Sequence, residues 1–498
     1  MNPEITVNDK HSQNIRDLIN RISSIAYDEK LKTTLIIKSI NCREWEKEKK
    51  IFERYKVPEG YLSDDDIKKT ATRFYVEVQS ESPKENKHVH LGHFDFRPTS
   101  ATICDAFLPI PENSDFFITC QKTYKSDDFE NPSISTVPYI MPDGRLGCCA
   151  PASLWIILTT LANELGLQYY SLSDIAMNLP KDDFSKNGIR DFEALLRKIN
   201  YRYYYHYGIN KRDDLQKIAE KLQNKPAGEC DCPLSELFGL IRRDSQNMSL
   251  MDSDTLYAYI ESEIPVYLVF DFKDLLTLPV YSKWKQSEEE ENTEEKPRSH
   301  HAIVAIGHTL NKKGELDFII HDVDLSPFVI ISQDFINKNL KEALVVLPED
   351  IVHYTFIKKT FEKLLPDLLR IDNHLNSLLP INELKIRPFL MRSQRIKFWF
   401  TDKKKYPSNE IRQMFSVAEF PKYVWVFELS NNKTREKNQS LGHIIFNASV
   451  LAKELTPVLI TSPNYLLWYE NGNLQDSSKD IPDSFYDDGL PLFRCKVQ

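Results

Sequence analysis

Glycine is scarce in this sequence, 14 among 498 residues, and nowhere clusters into the loop with which a nucleotide-binding or dinucleotide-binding fold cradles phosphate. Chemistry of those two kinds is excluded. Cysteine is sparse as well: Cys42, Cys104, Cys120, Cys148, Cys149, Cys230, Cys232 and Cys495 are the eight of them. They are spread too thinly for the disulfide framework of a small secreted domain, so they read as thiols. Positive charge is not in surplus. Lys and Arg number 64 against 73 Asp and Glu, a formal charge of -9, which leaves no concentrated basic footprint for a phosphate backbone, and nucleic acid is not an expected partner. No segment approaches 18 uninterrupted apolar residues, and "MNPEITVNDKHSQNIRDLINRISS" has no apolar core of signal-peptide length. These features predict a cytoplasmic protein with no membrane partner.

What is present is the composition of a globular chain, 41% hydrophobic and 28% charged, too long for one ordinary core. Changes of texture predict an α+β protein in three parts. Residues 1–138 carry the strand-like runs "TTLIIKSI", "TRFYVEVQ" and "HLGHFDFRP", a β-rich α+β domain. Residues 139–347 carry one long helical pattern followed by a cluster of strands. Residues 348–498 open with the helical "FEKLLPDLLRIDNHLNSLL" and continue with "KYVWVFELS", "LGHIIFNASV" and "PVLITS", a further α+β domain. Between strand candidates of the middle part lies the glutamate-rich 282–300, which cannot bury enough apolar surface to order itself and reads as a surface loop.

The stretch "MPDGRLGCCAPASLWIILTTLANELG" sets two adjacent cysteines before a helix. Leu154, Ile157, Leu158, Leu161 and Leu165 recur at helical spacing, Pro151 suits a first turn, and Gly166 suits the stop. The positive end of a helix dipole and a neighbouring imidazolium both favour thiolate, the form of cysteine that attacks. A cysteine nucleophile also needs a base, and the base needs an orienting acid, usually from distant sequence positions. His301 begins the strand candidate "HAIVAIGH", and Asp322 closes the next one, "LDFIIHD", after the turn-like "NKKGE". If those strands pair antiparallel, His301 lies near Asp322. His300 would project to the opposite face, and His308 lies past the strand's glycine. Asp322 is favoured over Asp324 because it sits at the strand end; His321 and Asp324 are expected to flank the site without joining it.

In this order of segments the chain resembles the papain-like cysteine peptidases, and among them is most similar to the group containing the bacterial double-glycine leader peptidases. "CAPAS" at 149–153, "HAIVAIGH" at 301–308 and "HDVD" at 321–324 correspond to that group's motifs. The resemblance spans roughly residues 140–335. It implies a papain-like central domain with Cys149 as nucleophile in preference to Cys148, His301 as base and Asp322 as orienting acid. The implied activity is cleavage of a peptide or isopeptide amide, with a protein or peptide as substrate and no cofactor. The chain departs from the pattern at Asp143, where the family commonly has a glutamine that donates to the oxyanion, at Ala150 in place of glycine and at Val323 in place of proline.

Acyl transfer to an amine, as in a transglutaminase or deamidase, would use the same residues. An inactive papain-like scaffold, binding a partner protein through the flanking parts, is a reading of a different class. A third uses His88, His90 and His93 of "HVHLGHF" as zinc ligands, but no metalloprotease carboxylate motif accompanies them, and a strand or hairpin is the plainer reading, with no metal. Cys230 and Cys232 likewise lack a partner pair. The aromatic "YRYYYHYG", 201–208, reads as a packed strand rather than a base-stacking platform.

Overall fold

The computed structural model describes residues 34–41, 72–79, 88–97, 102–107, 110, 116–125, 133–141, 149–165, 167–179, 189–209, 249–281, 300–347, 351–371, 383–401, 409–417, 420–437, 439–449, 457–462, 465–470, 473–476 and 490–491. Asp143, Cys148, Cys230, Cys232 and the acidic run 282–299 lie outside the described residues, as do the side chains of His88, His90 and His93. The described residues are a mixture of helix and largely antiparallel sheet, an α+β protein. They divide into two compact units: residues 1–253 with 263–348, and residues 254–262 with 349–498. Residues on both sides of position 138 fall in the first unit.

The first unit begins with β1 (Thr34–Asn41), β2 (Thr72–Gln79), β3 (His88–Arg97) and β4 (Thr102–Phe107), an antiparallel sheet in chain order built from β-branched and aromatic runs. Then come β5 (Phe116–Phe117), a hairpin of β6 (Lys122–Lys125) and β7 (Ser133–Thr136), and helix α1 (Cys149–Leu165). Helices α2 (Leu172–Asn178) and α3 (Phe192–Lys198) follow. Ser171 starts α2: its Oγ accepts from the Asp174 N–H at 3.1 Å, and the Asp174 carboxylate accepts from the Ser171 N–H at 2.9 Å.

The larger sheet uses β8 (Arg202–Tyr207), β9 (Ser249–Leu250), β10 (Val266–Asp271), β11 (His300–Leu310), β12 (Leu316–Asp322), β13 (Ser326–Ser332) and β14 (Leu340–Leu347). Their order is β13-β12-β11-β10-β14-β8-β9, with β5 paired to β11, and only β8 and β9 run parallel. Asn311 and Gly314, the latter at φ 78°, form the turn from β11 to β12. Helix α1 packs on β11 and β10. Its Leu154, Trp155, Ile156, Ile157 and Leu158 are each at most 1% exposed, the pattern of a helix buried all round. Burying each such side chain contributes roughly 1.5–3 kcal/mol.

One irregularity decides which way β11 presents its residues. Gly307 pairs with Ile319, but Ala305 pairs with Ile320 and Val304 with His321, so β11 carries one extra residue between Ala305 and Gly307. Continuing the pairing one step places Asp322 opposite Ile303, on the face that His301 shares. Without the bulge Asp322 would stand opposite Val304, and His301 would point to the other side of the sheet. Gly307 beside the bulge is held by space: a Cβ there would stand 2.4 Å from the Phe117 carbonyl oxygen of β5.

In the second unit, β15 (Lys385–Arg392), β16 (Tyr423–Ser430), β18 (Gly442–Asn447), β19 (Pro457–Ser462), β20 (Tyr465–Glu470) and β21 (Asn473–Asp476) form an antiparallel sheet in that order, and β17 (Gln439–Ser440) lies between β16 and β18 in sequence. A helix over Tyr354–Ile371 and two over Ser393–Thr401 and Asn409–Val417 belong to this unit. So does a helix that leaves the chain between β9 and β10, Ser253–Glu261. Its Tyr259 meets Trp425 edge-on at 5.9 Å, and the Ser262 hydroxyl just beyond it accepts from the Leu390 N–H at 2.7 Å.

Candidate active site

Cys149 is the first residue of α1 and is half-buried. Four residues on, Ser153 donates from Oγ to the Ala302 carbonyl at 3.3 Å, which fixes the first turn of the helix against the start of β11. His301 is the second residue of that strand and is buried, with Phe272 edge-on to its ring at 5.9 Å. Its Nε2 stands 2.9 Å from Oδ1 of Asp322. Three positions distant in sequence are thus brought to one place, the bulge in β11 supplying the parity that the third requires.

Asp322 is fully buried and each oxygen has donors. Oδ1 accepts from His301 and from the backbone N–H groups of Asp324 and Leu325, at 2.9 and 3.1 Å. Oδ2 accepts from the Tyr281 hydroxyl. Desolvation, the largest single influence, pushes this carboxyl up; the His301 charge, the His301 and Tyr281 hydrogen bonds and the turn N–H together outweigh it and hold the group below the usual carboxylate range. The same balance runs the other way in the phenol: burial, then the Asp322 charge, pushes Tyr281 far up, so it stays a donor. Tyr139 braces the turn from behind, donating to the Asp322 and Val323 carbonyls at 3.1 and 3.3 Å. Tyr139 is itself fixed by reciprocal backbone hydrogen bonds with Ala106 of β4, both 2.8 Å.

His301 also loses from burial, the largest influence on it, yet Asp322, the Cys149 thiol and Asp324 raise its proton affinity well above the ordinary 6.5 of imidazole. The surrounding charges thus favour the protonated ring. Nδ1 makes no hydrogen bond of good geometry, although the thiol lies close enough to favour the charged ring. Asp324 Oδ2 is 3.5 Å from that same nitrogen, with its side chain 7% exposed. The expectation that Asp324 flanks the site without joining it is thus corrected: the carboxylates of Asp322 and Asp324 face the two nitrogens of one ring.

The remaining histidines lie elsewhere. His300 is exposed and pairs its Nδ1 with Asp271 at 3.0 Å, where Lys341 also binds at 3.1 Å. His308 is buried and stacks on Phe117 at 5.2 Å, toward the far end of β11. His321 is buried between Tyr139 and Phe328, which pushes its proton affinity down to about 3 and leaves it neutral. Phe328 supports it from the left-handed backbone region, φ 58°, a costly conformation for an aromatic residue. Val323 and Ala150 are buried in the core beneath the site. Among the described residues no group of His, Cys, Asp and Glu could hold a metal ion, and no helix is long and apolar enough to cross a membrane.

Tyr281 and Tyr139 were not found from the sequence, and Asp324 was set beside the site rather than in it. Asp324 had a signal: "DVD" after a strand is the spacing at which an aspartate accepts from the N–H two residues on, folding the next carboxylate back. Tyr281 and Tyr139 had none, since a lone tyrosine in "LTLPVYS" or "STVPYIMP" carries no pattern.

A second buried cluster lies in the second unit. His443 Nε2 faces both Ser440 Oγ at 3.1 Å and Glu428 Oε1 at 3.3 Å, and its Nδ1 faces Thr461 Oγ1 at 3.1 Å. Arg387 pairs with the other oxygen of Glu428 at 2.8 Å and lies 3.8 Å from Glu261. No family model, no curated protein and no solved structure matches this chain.

Proposed function

We propose that this chain is a cysteine peptidase of papain-like type, acting on a peptide or isopeptide amide in a protein or peptide substrate. The observation that carries the reading is the His301 and Asp322 pair at 2.9 Å beside a cysteine at the first position of a buried helix. In this reading His301 holds the proton given up by Cys149, the sulfur attacks the amide carbon as thiolate, and the expelled amine takes that proton from His301. Asp322 keeps Nε2 of the ring occupied, so that Nδ1 is the nitrogen that exchanges protons with the reacting groups. The oxyanion meets backbone N–H groups at the start of α1, a donor set that no side chain has to complete. Water then releases the acyl group. A cysteine nucleophile of this kind would work in the cytoplasm, where thiols are kept reduced.

The test is labelling of the full chain with an iodoacetamide probe. Selective modification of Cys149 that is lost in His301→Ala supports the reading; equal, slow labelling of all cysteines in both proteins overturns it and leaves the inactive scaffold. Comparison of new protein N-termini in cells producing the chain or its Cys149→Ala variant then separates hydrolysis from transfer to an amine, which yields isopeptide links instead.

A further inference from the structure

Asp324 faces His301 in a particular way. Its Oδ2 stands 3.5 Å from Nδ1, the nitrogen not engaged by Asp322, yet no hydrogen bond of good geometry closes there. Hydrogen bonding weakens steeply with length and angle, whereas charge attraction falls only with the inverse of distance. A carboxylate at this separation therefore attracts the ring's positive charge while leaving the N–H free to be handed to another atom. Its place is fixed by the turn, because the Asp324 N–H donates to Asp322 Oδ1 at 2.9 Å. The turn is backed by Tyr139 and by the strained Phe328, which packs against His321 of β12.

We propose that Asp324 is a second positioning carboxylate for His301, holding the ring between Asp322 and the Cys149 thiol and keeping it charged before substrate arrives. This deepens the peptidase reading and rests on it for the role of His301. The groups facing the ring are Cys149 from α1, Asp322 and Asp324 from the end of β12 and its turn, and Tyr281 through Asp322; the adjacent His300 turns away to Asp271. Removing one negative charge from this set makes a proton harder to hold at every remaining site. The imidazolium then gives up its proton at lower pH.

The experiment follows the His301 ring by NMR in full-length chain labelled with ¹⁵N-histidine, assigned by its loss in His301→Ala, alongside the pH profile of Cys149 alkylation by iodoacetamide. In Asp324→Asn the His301 midpoint should fall by about one pH unit, the limb of the alkylation profile set by His301 should move the same way, and Asp324→Glu should restore both. Asp324→Ser, which keeps the turn's backbone donor, should behave as Asp324→Asn. A His301 midpoint unchanged in Asn and Ser variants alike overturns the proposal. Failure of the peptidase reading is distinguishable: His301 would still titrate lower in these variants, while Cys149 alkylation in the native chain would be indifferent to His301→Ala.

Discussion

Among the described residues, the buried His301 and His443 both sit beside carboxylates and hydroxyl or thiol groups, and their two nitrogens are engaged differently. His301 has one nitrogen on Asp322 and the other toward Asp324 and Cys149. His443 offers a single nitrogen to both Ser440 and Glu428 and gives its other to Thr461. A relay of nucleophile, base and acid needs the acid and the nucleophile on opposite nitrogens, so Ser440, His443 and Glu428 fail as a relay even though the residue types are right. The charges differ too. Around His301 the carboxylates prevail over desolvation. Around His443 desolvation is the largest influence, Glu428 is shared with Arg387, and the ring's proton affinity ends below 6.5. The lesson is that a histidine's partners must be counted per nitrogen, and a carboxylate's charge only after its cations are subtracted.

The comparison breaks most sharply at the nucleophile. Cys149→Ala should lower substrate cleavage by three orders of magnitude or more, on the scale seen when one member of such a unit is removed, whereas Ser440→Ala should leave it within about twofold. A large loss in the serine variant would mean that the second cluster does chemistry after all. Next in size is a stability effect in the second unit. Arg387→Met removes the cation that lies beside the buried carboxylates of Glu428 and Glu261 and should destabilise the protein by about 3–5 kcal/mol in chemical denaturation, while Cys149 in the remaining folded molecules alkylates at the native rate.

Tyr281→Phe sharpens the comparison on the first unit, deleting one donor to a buried carboxylate at a cost of about 1.5–3 kcal/mol. It should slow cleavage about tenfold and move the carboxyl of Asp322 up, read as activity lost at higher pH on the acid side. The smallest effect is pH-dependent. His443 and His353, the latter down at about 3, are both neutral when folded. Such depressed histidines contribute stability that is present above the unfolded value near 6.5 and is lost as pH falls below it. His301 has the opposite sign: its contribution is full below that value and fades as pH climbs through its raised midpoint. Thermal unfolding between pH 7 and 5 should therefore show the second unit weakening on acidification, and His443→Gln should flatten that slope.

Much of the framework was legible because it is written in local pattern. The strands at 72–79, 202–207 and 316–322 and helices α1 and α2 announce themselves by period, capping residue or turn, and the antiparallel pairing of β11 with β12 follows from "NKKGE". Of the candidate site, Cys149, His301 and Asp322 were readable as residue types at element ends. The bulge was not, because an extra residue in β11 is visible only against its partner's register. The hydroxyl supports were not either, since Tyr139 and Tyr281 reach Asp322 across 183 and 41 residues and depend on tertiary placement alone. The helical pattern at 361–379 falls in part on a helix over Tyr354–Ile371, with Pro366 inside it. Its described end precedes residues 372–382, which lie outside the described residues.

The helix over Ser253–Glu261 sits in the chain among strands of the first unit yet finds its packing partners beyond residue 349. During synthesis it emerges from the ribosome well before Trp425 and Leu390 exist to receive it. A nascent chain must therefore keep that amphipathic segment waiting, exposed, until the last third has been made. No single proteolytic cut or stop codon can divide the protein into two self-sufficient halves, and a chain ending at residue 348 would be left carrying an orphaned helix.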